Sequence, residues 1–170
     1  LRTLEFDKVI KILVEYTSSD LGKEISSSLK PFTKHDEVLK ALEETSEGVS
    51  FILRRGSPPL GGIHDLRGVL QRVKKGGVLN PKELLNVGDT LRACRNLINY
   101  ATKDRIDDKD STLGVLIGSL YMDKKLENKI ESSIENEDEI SDNATSALAK
   151  IRRQIRENQY GIRDKLNQII

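Results

Sequence analysis

The sequence has no tryptophan and only one cysteine, one methionine, three phenylalanines and four tyrosines in 170 residues. The lone Cys94 excludes an internal disulfide and a cysteine-based zinc cluster, and such cysteine usage is typical of reduced, cytosolic proteins. The scarcity of aromatic residues requires an aliphatic core. It also disfavours sequence-tolerant binding of single strands, because that activity relies on aromatic stacking platforms.

Long apolar runs and an excess of charge of one sign are missing as well. No apolar run approaches the roughly 20 residues that span a membrane, and the first residues lack the basic, apolar and small-residue order of a signal peptide. Basic and acidic residues number 28 and 27, so the net charge of +1 identifies no partner. We expect a cytoplasmic protein that does not contact a membrane.

Helical periodicity accounts for most of the chain. Apolar residues recur three and four positions apart, and period-two alternation is confined to a brief possibility at residues 139–141, so the predicted fold class is all-α. The predicted helices cover about 4–14, 20–29, 36–55, 65–74, 81–101, 113–122, 126–134 and 143–170. The strongest start signal is Asn80-Pro81 followed by Glu83, and Thr33 is a candidate cap for the third helix. Thr17, Ser18 and Ser19 are predicted to break the chain and cap the second helix, and Gly76-Gly77 to end the fourth. At this length we expect one core that buries about two thirds of the unfolded chain's surface.

The last predicted helix organises the rest of the chain. Its apolar stripe comprises Leu148, Ile151, Ile155, Ile162, Leu166 and Ile169. No Gly, Asn or Pro stop signal follows the stripe, and the chain starts at Leu1 with its sole methionine at Met122. We therefore expect a piece of a longer polypeptide, with a helical core at 1–122, a helix and acidic connector at 123–142, and the start of a long helix at 143–170.

No active site is predicted from the residues. His35 and His64 each precede an aspartate, but neither has a neighbouring Ser or Cys to activate. Gly61-Gly62 lacks the lysine of a phosphate-binding loop, and the acids Asp107, Asp108 and Asp110 lack the glycine and distal glutamate of a calcium loop. The sequence thus predicts no catalytic residue, no cofactor-binding residue and no metal ligand in this chain.

The basic face of the last helix is the one feature that suggests a function. It carries Lys150, Arg152, Arg153, Arg156, Arg163 and Lys165. Such a stripe is suited to contact a nucleic-acid phosphate backbone. The alternative is an ordinary solvated helix face, and the sequence leaves both interpretations open.

The order of motifs along the chain resembles one family. The motifs are TLEFDKVIKILVEYTSSDLGKEI, LKPF, ALEETSEGVSFIL, PPLGGIHDLRGVLQRVKKGGVLNPKELL, LRACRNL and SIENEDEISDNATSALAKIRRQIR. Together they are similar to the N-terminal region of the MutS-II proteins, the bacterial members of the MutS mismatch-repair superfamily that lack the mismatch-reading domains. The resemblance covers essentially the whole chain.

The resemblance implies a role that the residues alone do not. This region would be a non-catalytic helical core and the outgoing arm of a lever, which joins a DNA or ribosome clamp to a dimeric ABC-type ATPase. The clamp, the ATPase with its ATP and Mg, and a C-terminal Smr nuclease domain would follow Ile170. The parent would be a cytoplasmic, homodimeric, ATP-dependent endonuclease that binds branched DNA, suppresses homologous recombination and acts on collided ribosomes through rRNA.

A second hypothesis comes from a different class of protein. The chain would be a free-standing helical adaptor whose last helix forms a coiled coil, with Asn158 as a polar position that sets the register. The two hypotheses differ in whether the reading frame continues past Ile170 into a phosphate-binding loop.

Overall fold

The chain folds into α-helices joined by short loops. The computed structural model describes residues 5–102 and 112–169, and the helices within this part are α1 (Phe6–Glu15), α2 (Asp20–Ser28), α3 (His35–Arg55), α4 (Arg67–Lys74), α5 (Pro81–Thr102), α6 (Thr112–Gly118), α7 (Lys124–Ser133) and α8 (Ser146–Ile169). The all-α prediction is confirmed. Among the described residues, β pairing is limited to one isolated antiparallel bridge, between Ile134 and Ile140. Leu4, the predicted connector with Asp107, Asp108 and Asp110, and Ile170 lie outside the described residues.

Side-chain caps fix the starts of several helices where local sequence predicted them. The Ser19 hydroxyl accepts a hydrogen bond from the Gly22 amide at 3.1 Å at the start of α2. At α5 the Asn80 amide oxygen accepts from the Glu83 N–H at 2.9 Å, and the Glu83 carboxylate accepts from the Asn80 N–H at 3.0 Å. This reciprocal pair is a capping box, and it satisfies two N–H groups that a helix start otherwise leaves open.

Several predicted boundaries are wrong. Residue Lys34, not Thr33, precedes α3, and no side chain caps that helix. The fourth helix starts at Arg67 because Asp65 bonds the Arg67 N–H from outside the helix, at 3.0 Å. The sixth ends at Gly118 rather than Met122, and the last begins at Ser146 rather than at residue 143, since Thr145 caps it by accepting from the Leu148 N–H.

The capping box at α5 gives a first stability prediction. Replacing Asn80 with alanine is expected to lower the free energy of unfolding by about 1 kcal/mol, because the Glu83 N–H loses its acceptor. Urea denaturation followed by circular dichroism measures this change. Asn80→Asp keeps an acceptor oxygen and is the matched control, and a loss in the aspartate variant as large as in the alanine variant would contradict the assignment of the cap.

Helix α5 is the centre of the packing. It lies against α7 and α6, while α3 lies against α6 and α1 pairs with α2. A Cβ atom at Gly88 of α5 would stand 3.3 Å from Ile130 Cγ2, so the glycine permits the close approach of α7. From α3, the Glu47 carboxylate accepts hydrogen bonds from the Thr112 and Leu113 N–H groups, at 3.4 and 3.1 Å, and so caps α6.

The core is much smaller than expected. Among the described residues, Phe51, Ala93, Ile130 and Ile134 are the buried hydrophobic ones. The chain exposes 13,568 Å², whereas a compact monomer of its mass exposes about 8,400 Å². Folding therefore buries about half of the unfolded chain's surface instead of the two thirds expected from its length. Large apolar side chains on α1, α3 and α8 remain open to solvent.

Candidate nucleic-acid interface

Helix α8 carries the basic residues that the sequence singled out. Its 24 residues form a rod about 36 Å long, at 1.5 Å per residue. At 100° per residue, Arg152, Arg156 and Arg163 share one narrow sector, roughly a quarter turn away from the apolar stripe. Lys150, Arg153 and Lys165 point in other directions. Three of the six predicted residues, Arg152, Arg156 and Arg163, therefore form one aligned group, and the other three lie on different sides of the helix.

Two arginines of the aligned group converge on one carboxylate. The Arg156 Nη1 atom lies 2.7 Å from Asp142 Oδ2, and Arg152 Nη1 contacts Asp142 Oδ1. Arg152 Nη1 also donates to the Ile140 carbonyl oxygen at 2.9 Å. Hydrogen bonds from Arg156 and then Arg152 lower the pKa of Asp142, while the bond to Asp142 raises the pKa of Arg152. The group formed by Arg152, Arg156 and Asp142 is called the Asp142 clasp below.

The other basic residues of α8 are more open. Arg153 forms an exposed pair with Glu157 one turn later, with Nε 2.8 Å from Oε1. Lys150, Arg163 and Lys165 are exposed. A pair of this kind contributes little to stability, because water screens both charges, so Arg153 remains available to an anion.

A shallow groove of about 380 Å³ extends the aligned sector along the helix. It is lined by Arg156, Gln159, Tyr160, Ile162 and Arg163. Gln159 and Tyr160 add an amide and a phenol, both able to donate to phosphate oxygens, between two guanidinium groups. The sequence analysis missed these two residues because they carry no charge. Their positions, three and four residues after Arg156, place them beside it on the helix and could have identified them.

The rejected catalytic candidates lie elsewhere. His64 Nε2 stands 3.7 Å from Asp89 Oδ2 and not beside the adjacent Asp65. Asp65 instead accepts hydrogen bonds from Arg67, which lower its pKa to about 2. Burial raises the pKa of Cys94, which keeps the thiol protonated.

Within residues 5–102 and 112–169, no group of three or more His, Cys, Asp or Glu side chains is placed to hold a metal ion. None of the helices in that part of the chain combines the length and apolar character needed to cross a membrane.

Several known proteins that are similar to this chain share one name. The chain is 53% identical over 171 residues to the endonuclease MutS2 of Acetivibrio thermocellus, covering 100% of the chain and 22% of that protein. The corresponding protein of Ruminiclostridium cellulolyticum is 51% identical over 99% of the chain and 21% of its own length, and that of Clostridioides difficile 43% identical over 100% and 22%. No protein-family model matches the chain. The chain therefore spans about a fifth of the length of the curated relatives it matches.

Proposed function

Because this chain belongs to the MutS2 endonuclease family over the region that it spans, we propose that it is the non-catalytic helical core and the first part of a lever within a larger MutS2 protein. In this proposal α8 transmits movement between a nucleic-acid clamp and an ATPase, both formed by other parts of that protein. Domain 1–122 would be the core, 123–142 the connector and 143–170 the lever.

The exposed apolar stripe of α8 supports this proposal most directly. Ile151, Ile155, Ile162 and Leu166 are each about half exposed, at 53, 49, 60 and 55%. A stripe of this kind at helical spacing is normally covered by another helix. The excess surface of the chain and its coverage of only 22% of a relative are both explained if further segments pack here.

The activities of the whole protein are a further part of this proposal. We infer an ATP-dependent, Mg-requiring endonuclease, active as a cytoplasmic homodimer that binds branched DNA, limits homologous recombination and acts on collided ribosomes. This chain would supply no catalytic group. Its exposed basic residues would add a weak contact to phosphates once the clamp holds the nucleic acid.

Gly161 provides the test of the lever. A Cβ atom at this position would meet no atom within 4 Å, so a larger side chain fits here without a steric clash. In the full-length protein, Gly161→Pro breaks α8 at a cost of about 3 kcal/mol or more. We expect it to remove the stimulation of ATP hydrolysis by DNA and to leave basal hydrolysis unchanged, because a broken helix no longer couples the two sites.

Gly161→Ala is the matched control, because alanine favours the helix by about 1 kcal/mol and adds one methyl group. This variant should retain full stimulation. If the proline variant is stimulated as strongly as the alanine variant, α8 does not transmit the signal and the lever proposal fails.

The free-standing adaptor remains the second candidate, favoured by the same exposed stripe. It requires the 170-residue chain to self-associate through α8. Analytical ultracentrifugation of the chain with Ile155→Glu beside it decides this: a dimer that the substitution dissociates supports the adaptor, and a monomer in both proteins removes it.

A further inference from the structure

We propose that Arg152 and Arg156 form a two-arginine oxyanion site that Asp142 occupies, and that a nucleic-acid phosphodiester exchanges with this carboxylate. The identity of the ligand as nucleic acid rests on the proposed function. The site itself rests on the geometry of the Asp142 clasp.

The clasp already has the arrangement that binds a phosphate group. Arg152 and Arg156 contact different oxygens of one carboxylate through their Nη1 atoms. A phosphodiester also presents two anionic oxygens on one atom, and arginine pairs recognise both groups by the same paired hydrogen bonds. The two guanidinium groups are therefore positioned for an oxyanion before any ligand arrives.

Exchange is feasible because the clasp is accessible. The side chains of Arg152, Asp142 and Arg156 are 28, 40 and 55% exposed. Ion pairs open to water contribute little net stability, so a phosphate does not need to overcome a strong bond. Arg163 and Tyr160 border the adjacent groove, where the next part of a backbone would lie.

Exchange also changes how α8 is held. Asp142 lies in the connector that precedes α8, and Ile140 of the same connector bridges to Ile134 directly after α7. Arg152 and Arg156 therefore link the first turns of α8 to the connector, and through the connector to the end of α7. When a phosphate replaces Asp142, the only one of these three side-chain hydrogen bonds that remains is the one from Arg152 to the Ile140 carbonyl oxygen. Phosphate binding would thus weaken the attachment of the N-terminal end of α8 to the connector.

Asp142→Asn tests the exchange in the 170-residue chain. Binding is measured by fluorescence anisotropy against a labelled duplex DNA and an RNA duplex of equal length, over a series of salt concentrations. We expect weak binding by the unmodified chain. The variant should bind about tenfold more tightly at low salt, with a salt slope steeper by about 1 to 2, since each neutralised phosphate adds about 0.9.

Asp164→Asn is the charge-matched control. Asp164 is exposed on α8 and lies outside the Asp142 clasp, and its replacement by asparagine makes the same change in net charge. Because its charge lies away from the two arginines, we expect a gain of less than about twofold at 0.1 M salt, where the Debye length is about 10 Å. Adding Arg152→Gln and Arg156→Gln to the Asp142→Asn variant should abolish the gain. Circular dichroism verifies that the helix content of the chain is the same in every variant.

The outcomes separate the alternatives. Equal gains with DNA and RNA support the site and assign it to the shared phosphate backbone, and a gain with one of them supports the site and identifies its source. An Asp142→Asn effect no larger than that of Asp164→Asn overturns the proposal, as does a loss of binding with a loss of helix, because the carboxylate would then only support α8. Neither of these two negative results changes the outcome of the Gly161 test. The lever proposal and the oxyanion-site proposal can therefore be refuted separately.

Discussion

Replacing Glu127 with alanine is expected to lower the free energy of unfolding by about 2 to 3 kcal/mol, because it removes a buried carboxylate and leaves the partly exposed guanidinium groups of Arg95 and Arg92 without their partner. Glu127 is only 4% exposed, on the face of α7 that meets α5. Its two oxygens accept from Arg95 Nε and Nη2 at 3.0 and 2.8 Å, and Arg92 Nε lies 3.4 Å away. The substitution removes the charged link at the largest helix contact in the described structure.

Urea denaturation followed by circular dichroism measures the loss. Glu131→Ala is the control, since Glu131 lies on the same helix and faces Arg92 at 3.6 Å but is 65% exposed. An exposed pair of this kind contributes less than about 1 kcal/mol. Equal losses in the two variants would show that burial of the Glu127 carboxylate has no energetic significance.

The same carboxylate predicts how stability depends on pH. The hydrogen bond from Arg95 lowers the pKa of Glu127 below its usual 4.5. Its stabilisation is therefore complete above pH 4.5 and declines as the pH falls through the lower, folded-state pKa. The stability difference between the unmodified chain and Glu127→Ala should narrow in acid, and a difference that stays constant down to pH 2 would contradict this linkage.

Local sequence predicted the helices and several of their ends because those signals act over three or four residues. The Asn80 and Glu83 box, the Ser19 cap and the glycines after α4 each satisfy backbone groups of their own turn. The errors arose where a different side chain of the same turn, or no side chain at all, occupied the capping position. Thr33 was predicted to cap α3, but the helix begins after Lys34 and uses no side chain there.

The candidate site was predictable in composition but not in arrangement. A basic face on α8 follows from helical spacing. Asp142 lies 10 and 14 positions before Arg152 and Arg156, and the contacts depend on the connector turning back along the helix. Glu127 similarly meets Arg95, 32 positions away, only because α7 packs on α5. Sequence periodicity identifies the faces of helices and does not say which faces meet.

Burial was overestimated for a related physical reason. The relation between length and buried surface applies to a chain that covers its own apolar faces. Here α1, α3 and α8 keep theirs open, with Ile12, Leu42 and Ile162 each more than half exposed. An amphipathic pattern predicts that a face will be covered, and it carries no information on whether the covering segment belongs to the same 170 residues.

Replacing Phe51 with alanine is expected to lower the free energy of unfolding by about 3 to 4 kcal/mol, the usual cost of removing a buried ring. Phe51 is 5% exposed near the end of α3. The Arg55 and Arg54 guanidinium carbons stand 4.7 and 5.7 Å from its ring centre. Arg55 in turn donates to the Tyr100 carbonyl at 2.9 Å, so the ring supports the side chain that joins α3 to the end of α5.

Phe32→Ala removes the same ring from a position that is 51% exposed and should cost about 1 kcal/mol or less. Because the buried hydrophobic residues are so few, the loss of Phe51 should also be local. Amide hydrogen exchange should accelerate in α3 more than in α7, which the Glu127 pair and Ile130 hold against α5 from another side. Uniform acceleration through both helices would instead show that the two contacts on α5 form one cooperative unit.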